Sequence, residues 1–134
     1  MQPTQFTDAV AAVVERDPRY DVGAYYFLKE ALDFTVKRVM ESNDGEHRHV
    51  SASELLIGFR DLALQEFGPM ASTMMSEWGL KSCTDVGEMV FLLIEEGVFG
   101  KQDSDTREDF AELFPLHETL SAPFRPKQQA VSAS

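Results

Sequence analysis

Apolar residues recur with a helical period along most of the chain. Phe6, Val10, Val13 and Val14 form the first stripe, with Thr4 or Thr7 available as a cap. That helix should end near Arg16, because Pro18 pushes the residue before it out of the helical region. Asp21 can cap a second helix, whose stripe of Tyr25, Leu28, Leu32, Thr35 and Val39 runs to about Ser42. Ser42-Asn43-Asp44-Gly45 then reads as a turn. Ser51 with Glu54 three residues later is a capping box. The helix it opens places Leu55, Phe59, Leu62 and Ala63 on one face and stops at Gly68-Pro69. A short helix follows, with Met70, Met74 and Trp78 on one side and Gly79 as its end signal. Met75 lies off that stripe and is expected to be exposed. Ser82 to Asp85 offers the next cap, before Val86, Met89, Val90, Leu93 and Ile94 on a strongly apolar helix that ends at Gly97. Ser104 or Asp105 can cap a brief helix holding Phe110 and Leu113.

These stripes and short connections predict an all-α fold, a single compact domain of about five to six short helices over residues 1–120. A minor extended pair has room only near His49 or Val98. From Ser121 the periodicity stops, and residues 121–134 read as a disordered tail. The 134 residues fit one domain and suffice to bury roughly two-thirds of the unfolded surface without a staple.

Charge narrows the set of partners. With 23 acidic and 12 basic side chains, the net charge of -11 opposes phosphate backbones and anionic membranes. Nucleic acid and membrane are therefore not expected partners. The N-terminal stretch "MQPTQFTDAV" lacks the basic and apolar regions of a signal peptide, and no apolar run nears the ~20 residues of a membrane span. Cys83 is the one cysteine and cannot form an internal disulfide, which suits the cytoplasm.

Candidate chemistry is sparse. His47 and His49 alternate beside Asp44 and Glu46, but a metal site needs further ligands and His117 is the one other histidine. "DSDTREDF" has the alternating oxygens of a calcium loop, with Arg107 and Glu108 where an oxygen ligand and glycine belong. It reads better as a capped helix start. Cys83 stands at a helix N-terminus without a base nearby in sequence. Met70 to Glu95 has the spacing of a helix-turn-helix, yet its second helix carries Asp85, Glu88, Glu95 and Glu96 and no cation to meet DNA. No catalytic residue, metal or cofactor is expected. "RDPRYDVGAYYF" concentrates two arginines and three tyrosines at a helix joint. Arg16, Arg19, Tyr20 and Tyr25, with His49, are the candidate interaction residues, since Arg offers a planar fork and Tyr an apolar ring with a hydroxyl. A structural joint is the stronger expectation for this stretch.

The combination "RDPRY…HVSASELL…FGPMA…WGL…TDVGEMVF", from Phe6 to about Phe110, resembles a small family of short bacterial proteins with no assigned activity, so the resemblance implies none. The stretch "ALDFTVKR…HVSASELLIGFRDLALQEFGPMASTMMSEWGL" is also similar in layout to one repeat of the N-terminal domain of Clp-type chaperones, over about a third of the chain. A helix, a histidine-valine entry and a Leu-Leu helix there precede a short helix ending in Gly-Leu. That domain binds adaptors and substrates, so the similarity implies a protein-binding role. The resulting expectation is a non-enzymatic, cytoplasmic protein-interaction or adaptor module. The alternative is an enzyme or small-ligand binder using the Arg16/Arg19/Tyr20 region.

Overall fold

In the computed structural model, residues 3–46, 49–100, 106–111 and 113–125 are described. The elements are α1 (Pro3–Arg16), α2 (Val22–Ser42), α3 (Ala52–Phe67), α4 (Ala71–Glu77), α5 (Cys83–Glu95) and α6 (Leu116–Ser121), with 3₁₀ turns at Gly68–Met70, Arg107–Phe110 and Ala122–Phe124. They form one all-α domain, and no strand occurs among the described residues.

Local chemistry sets the main boundaries. Asp21 caps α2 by accepting from the Gly23 amide at 2.8 Å. Ser51 and Glu54 form the reciprocal box at the start of α3, at 3.1 and 3.0 Å. Both satisfy amides that the first helical turn leaves without a partner. Gly79, at φ +87°, ends α4, and a Cβ there would strike the Arg19 carbonyl oxygen. The Asp21 amide donates to the Trp78 carbonyl at 3.1 Å, so the end of α4 is stitched to the α1–α2 joint.

Helix α5 is the most thoroughly buried helix. Cys83, Val86, Gly87 and every residue from Met89 to Leu93 are buried. A helix apolar on nearly all sides must be surrounded. Tyr25 and Leu28 of α2, Leu56 and Phe59 of α3, Met75 of α4 and Leu120 of α6 join it in one fully buried core. Phe27, Phe67 and Trp78 form an aromatic cluster beside it, with ring centroids 5.3–5.7 Å apart.

Several expectations are corrected. Thr4 and Thr7 lie inside α1 rather than at its cap. Met75 is 0% exposed while Met70 is 55% exposed. Met70 belongs to the 3₁₀ turn, so the inward stripe of α4 starts one residue later, at Ala71, and repeats at Met75. Val98 and Phe99 are not extended: both amides fold back to the Leu93 carbonyl, and the Phe99 ring stacks on Phe6 at 6.3 Å. Thr106, not Ser104 or Asp105, leads the Arg107–Phe110 turn, with its amide bonded to Asp109 at 2.9 Å. Ser104 and Asp105 lie outside the described residues, and Leu113 is exposed outside the turn. Helical structure also passes Ser121: α6 buries Leu116 and Leu120, and a 3₁₀ turn carries the chain to Phe124. Residues 126–134 of the expected tail lie outside the described residues.

Helices α2 and α3 close on each other at Gly58, where a Cβ would collide with the Thr35 hydroxyl. That hydroxyl is buried and donates to the Ala31 carbonyl at 2.7 Å. Overpacking costs roughly 1–3 kcal/mol, while replacing a helical glycine by alanine returns up to about 1 kcal/mol. Gly58→Ala should therefore lower stability by about 1–2 kcal/mol in urea melts. The Gly58→Ala/Thr35→Ala pair should lose less than the sum of the single variants.

Candidate functional site

Residues 16–21 connect α1 and α2 and lie against the one polar strip of α5. Asp85, Glu88 and Glu95, spaced by three and seven residues, share that strip. Arg16 reaches Glu96 at 3.0 Å and Glu95 at 3.4 Å. Arg19 grips Asp17 through two nitrogens, at 2.9 and 2.8 Å, and extends to Glu88 at 3.5 Å. Arg107, from the 3₁₀ turn, bridges Glu88 at 3.1 Å and Glu95 at 3.9 Å. The Tyr20 hydroxyl donates to Asp85 at 2.6 Å. The joint is thus clamped to α5 by side chains 65 to 80 residues apart in sequence.

Titration follows from this geometry. The bond to Arg19 holds the Asp17 carboxyl below its usual range, and the same bond raises the Arg19 guanidinium. Burial, then the bond to Asp85, raises the Tyr20 phenol. Burial, then the charge of Asp17, pushes Tyr25 up to about 12. The Tyr25 ring is fully buried, and its hydroxyl finds no hydrogen-bond partner among the described residues. Arg16, Arg19, Tyr20 and Tyr25 are therefore brought together, but each arginine is already engaged. The same holds for every described arginine, since Arg38, Arg60 and Arg125 also pair with carboxylates of this chain.

His49 lines a separate feature. Where α2, α3 and α5 converge, Leu32, Val50, Leu55, Val90, Ile94 and Phe99 border a cleft of about 70 Å³, with His49 and Ser51 at its polar end. Phe110 and Phe91 complete one wall, with their rings edge to face at 6.1 Å. Phe110 can sit there because residue 87 is glycine: a Cβ at Gly87 would lie 2.5 Å from that of Phe110. Arg107 lies over the Phe91 ring at 4.9 Å, which ties this wall to the carboxylates of the clamp.

Other candidates are placed as follows. His47 lies outside the described residues, and among those described no group of three potential metal ligands converges. The first residues of "DSDTREDF" also lie outside, while Thr106–Phe110 forms a capped turn. Cys83 is buried, with its thiol directed at the Phe114 carbonyl at 3.3 Å. One arrangement has no local sequence signal. His117 Nε2 contacts the Leu80 carbonyl at 2.9 Å, and its Nδ1 contacts the Ser72 hydroxyl at 2.7 Å across 45 residues. A carbonyl only accepts, so Nε2 carries the proton and Ser72 donates to Nδ1. This relay docks α6 on α4.

Substitutions separate the roles at the joint. Arg19→Ala removes an exposed pair and should cost less than about 1 kcal/mol. Tyr20→Phe removes a bond to a carboxylate and should cost about 1–2 kcal/mol. Tyr25→Phe deletes a buried hydroxyl without a partner and should be neutral or stabilising. Urea melts distinguish these three outcomes.

The pH dependence has a definite sign. Both buried phenols keep their protons above the ordinary value of 10.0, whereas the unfolded chain loses them near it. Proton loss therefore favours the unfolded chain once pH passes 10, up to about 12 for Tyr25 and to higher pH for Tyr20. Urea midpoints should fall across that window, and the fall should be smaller in Tyr25→Phe.

Comparisons of the chain with protein-family models, with curated proteins and with solved structures return no match.

Proposed function

We propose that this protein is a non-enzymatic protein-interaction module whose contact site is the apolar cleft between α2, α3 and α5. The observation that carries this reading is the cleft itself: Leu32, Leu55, Val90 and Ile94 line a concave apolar space between the helices. A concave apolar site with polar groups at one end is a place where a partner side chain can be received. The resemblance of the sequence layout to the chaperone domain implies a role of the same kind.

The alternative chemistry at the joint has less support. Arg16 and Arg19 are neutralised by carboxylates, and the Tyr20 hydroxyl is committed to Asp85. An anionic substrate would have to displace all of these. Nucleic acid is opposed by the same pairing, because α5 shows acids rather than cations on its polar strip. No helix among the described residues is long and apolar enough to cross a membrane, and the lone Cys83 accords with the expected cytoplasmic setting.

Affinity capture from the native cell, followed by mass spectrometry, tests the proposal with two forms of the protein. The wild type should recover one stoichiometric protein. Ala52→Phe, which fills the cleft from the first turn of α3, should keep its melting temperature and lose that protein. Equal recovery by Ala52→Phe with loss by Arg19→Ala would move the site to the joint. A small molecule retained by the wild type would favour the ligand-binding alternative.

A further inference from the structure

Away from the cleft, we propose that Ser72 is an activated nucleophile and a site of covalent acylation, taking one acyl group from a thioester without turnover. The Ser72 hydroxyl donates to His117 Nδ1 at 2.7 Å, and His117 Nε2 donates to the Leu80 carbonyl at 2.9 Å. A hydroxyl held on a base that a third group orients is the arrangement that activates serine. The orienting carbonyl is itself fixed: the Leu80 amide donates to the Met75 carbonyl at 2.8 Å, and the Leu80 side chain is fully buried. It keeps the imidazole proton on Nε2, which leaves the Nδ1 lone pair facing Ser72. Ser42 makes the contrast, since its hydroxyl donates to the Val39 carbonyl at 3.0 Å, and a carbonyl does not take the proton away. Ser72 and His117 are each half-buried, so the pair sits at the edge between α4 and α6 within reach of a small reagent.

In the acylation step, Ser72 Oγ attacks the thioester carbonyl carbon while its proton passes to His117 Nδ1. The tetrahedral intermediate collapses, the carbon–sulfur bond breaks, and the leaving thiolate takes the proton back from Nδ1. The products are an ester at Ser72 and a free thiol. The cleft between α2, α3 and α5 includes neither Ser72 nor His117, so it does not bind the reagent for this reaction. The driving force must then come from the reagent, which favours a thioester over an amide or an unactivated ester. Acylation has a structural consequence as well. The ester oxygen has no proton to give Nδ1, so of the relay only the Leu80 bond remains to hold α6 beside its buried Leu116 and Leu120. Modification therefore loosens α6 from α4.

The test incubates the full chain with the acetyl thioester of N-acetylcysteamine and follows acetylation of individual serines by mass spectrometry of proteolytic fragments. Ser76, one turn further along α4, is the internal reference. Ser76 is exposed whereas Ser72 is half-buried, so exposure alone ranks Ser76 first. General-base assistance typically contributes about 10²–10⁴-fold, so Ser72 should be acetylated at least roughly tenfold faster than Ser76. His117→Asn keeps a polar side chain but removes the base, and should bring Ser72 down to the rate of Ser76 or below. Urea above the unfolding midpoint gives the same comparison without a substitution: it separates Ser72 from His117, and the advantage should vanish. Acetylation of Ser72 no faster than Ser76 in the folded chain overturns the inference. So does an advantage that survives His117→Asn or urea. Neither result bears on partner capture through the cleft, which stands or falls by its own experiment.

Discussion

The burial of α5 is the constraint on which the other elements depend. From Met89 to Leu93 no residue is left for solvent, so neighbours must approach from nearly every side. Each large apolar side chain buried this way is worth roughly 1.5–3 kcal/mol, against about 0–1 kcal/mol for an exposed ion pair. Hydrophobic burial therefore decides that α1, α3 and the Arg107–Phe110 turn gather round α5, while α2, α4 and α6 pack on α3. The ion pairs are too weak to decide that, but they select the rotation of α5, because only one strip of the helix carries Asp85, Glu88 and Glu95.

Both notable features of the molecule follow from that packing. On its polar strip α5 accepts Arg16, Arg19 and Arg107, which makes the proline-broken joint a clamp between the first two helices and the centre. On the side facing Leu32 and Leu55, the surrounding elements leave a gap, and that gap is the cleft. Gly87 lets Phe110 lie directly on α5, and Gly58 lets α2 and α3 close on each other at Thr35. A methyl group at Gly87 would push on Phe110 and so on a wall of the cleft. Clamp and cleft also share parts: Arg107 pairs with Glu88 while covering Phe91.

The elements legible in the sequence are those whose ends are fixed by neighbouring residues. Asp21, the Ser51/Glu54 box and Gly79 act over two to four positions, and α2, α3 and the end of α4 fall where those signals stand. Phase was harder to read. A three-residue 3₁₀ turn before α4 rotated the stripe, which exchanged the roles of Met70 and Met75. Helix α6 offers only two inward leucines and no side-chain cap, too little periodicity to separate it from a tail. The joint could be recognised from Pro18, but its partners could not, since Glu88 and Glu95 lie some 70 to 80 residues away. Separation in sequence also hid the Ser72–His117 relay, across 45 residues, and the cleft, each assembled from separate helices.

Residue-resolved amide hydrogen exchange tests the central role of α5 most directly. If α5 is the element around which the rest is packed, its amides from Val86 to Leu93 open only when the whole domain unfolds. They should exchange slowest, with a free energy matching global stability from urea melts, while α1, α6 and the Arg107–Phe110 turn open at lower cost. Exchange of α5 well before α2 and α3 would show that those two helices form the stable centre without it, and would contradict the dependence of clamp and cleft on its burial.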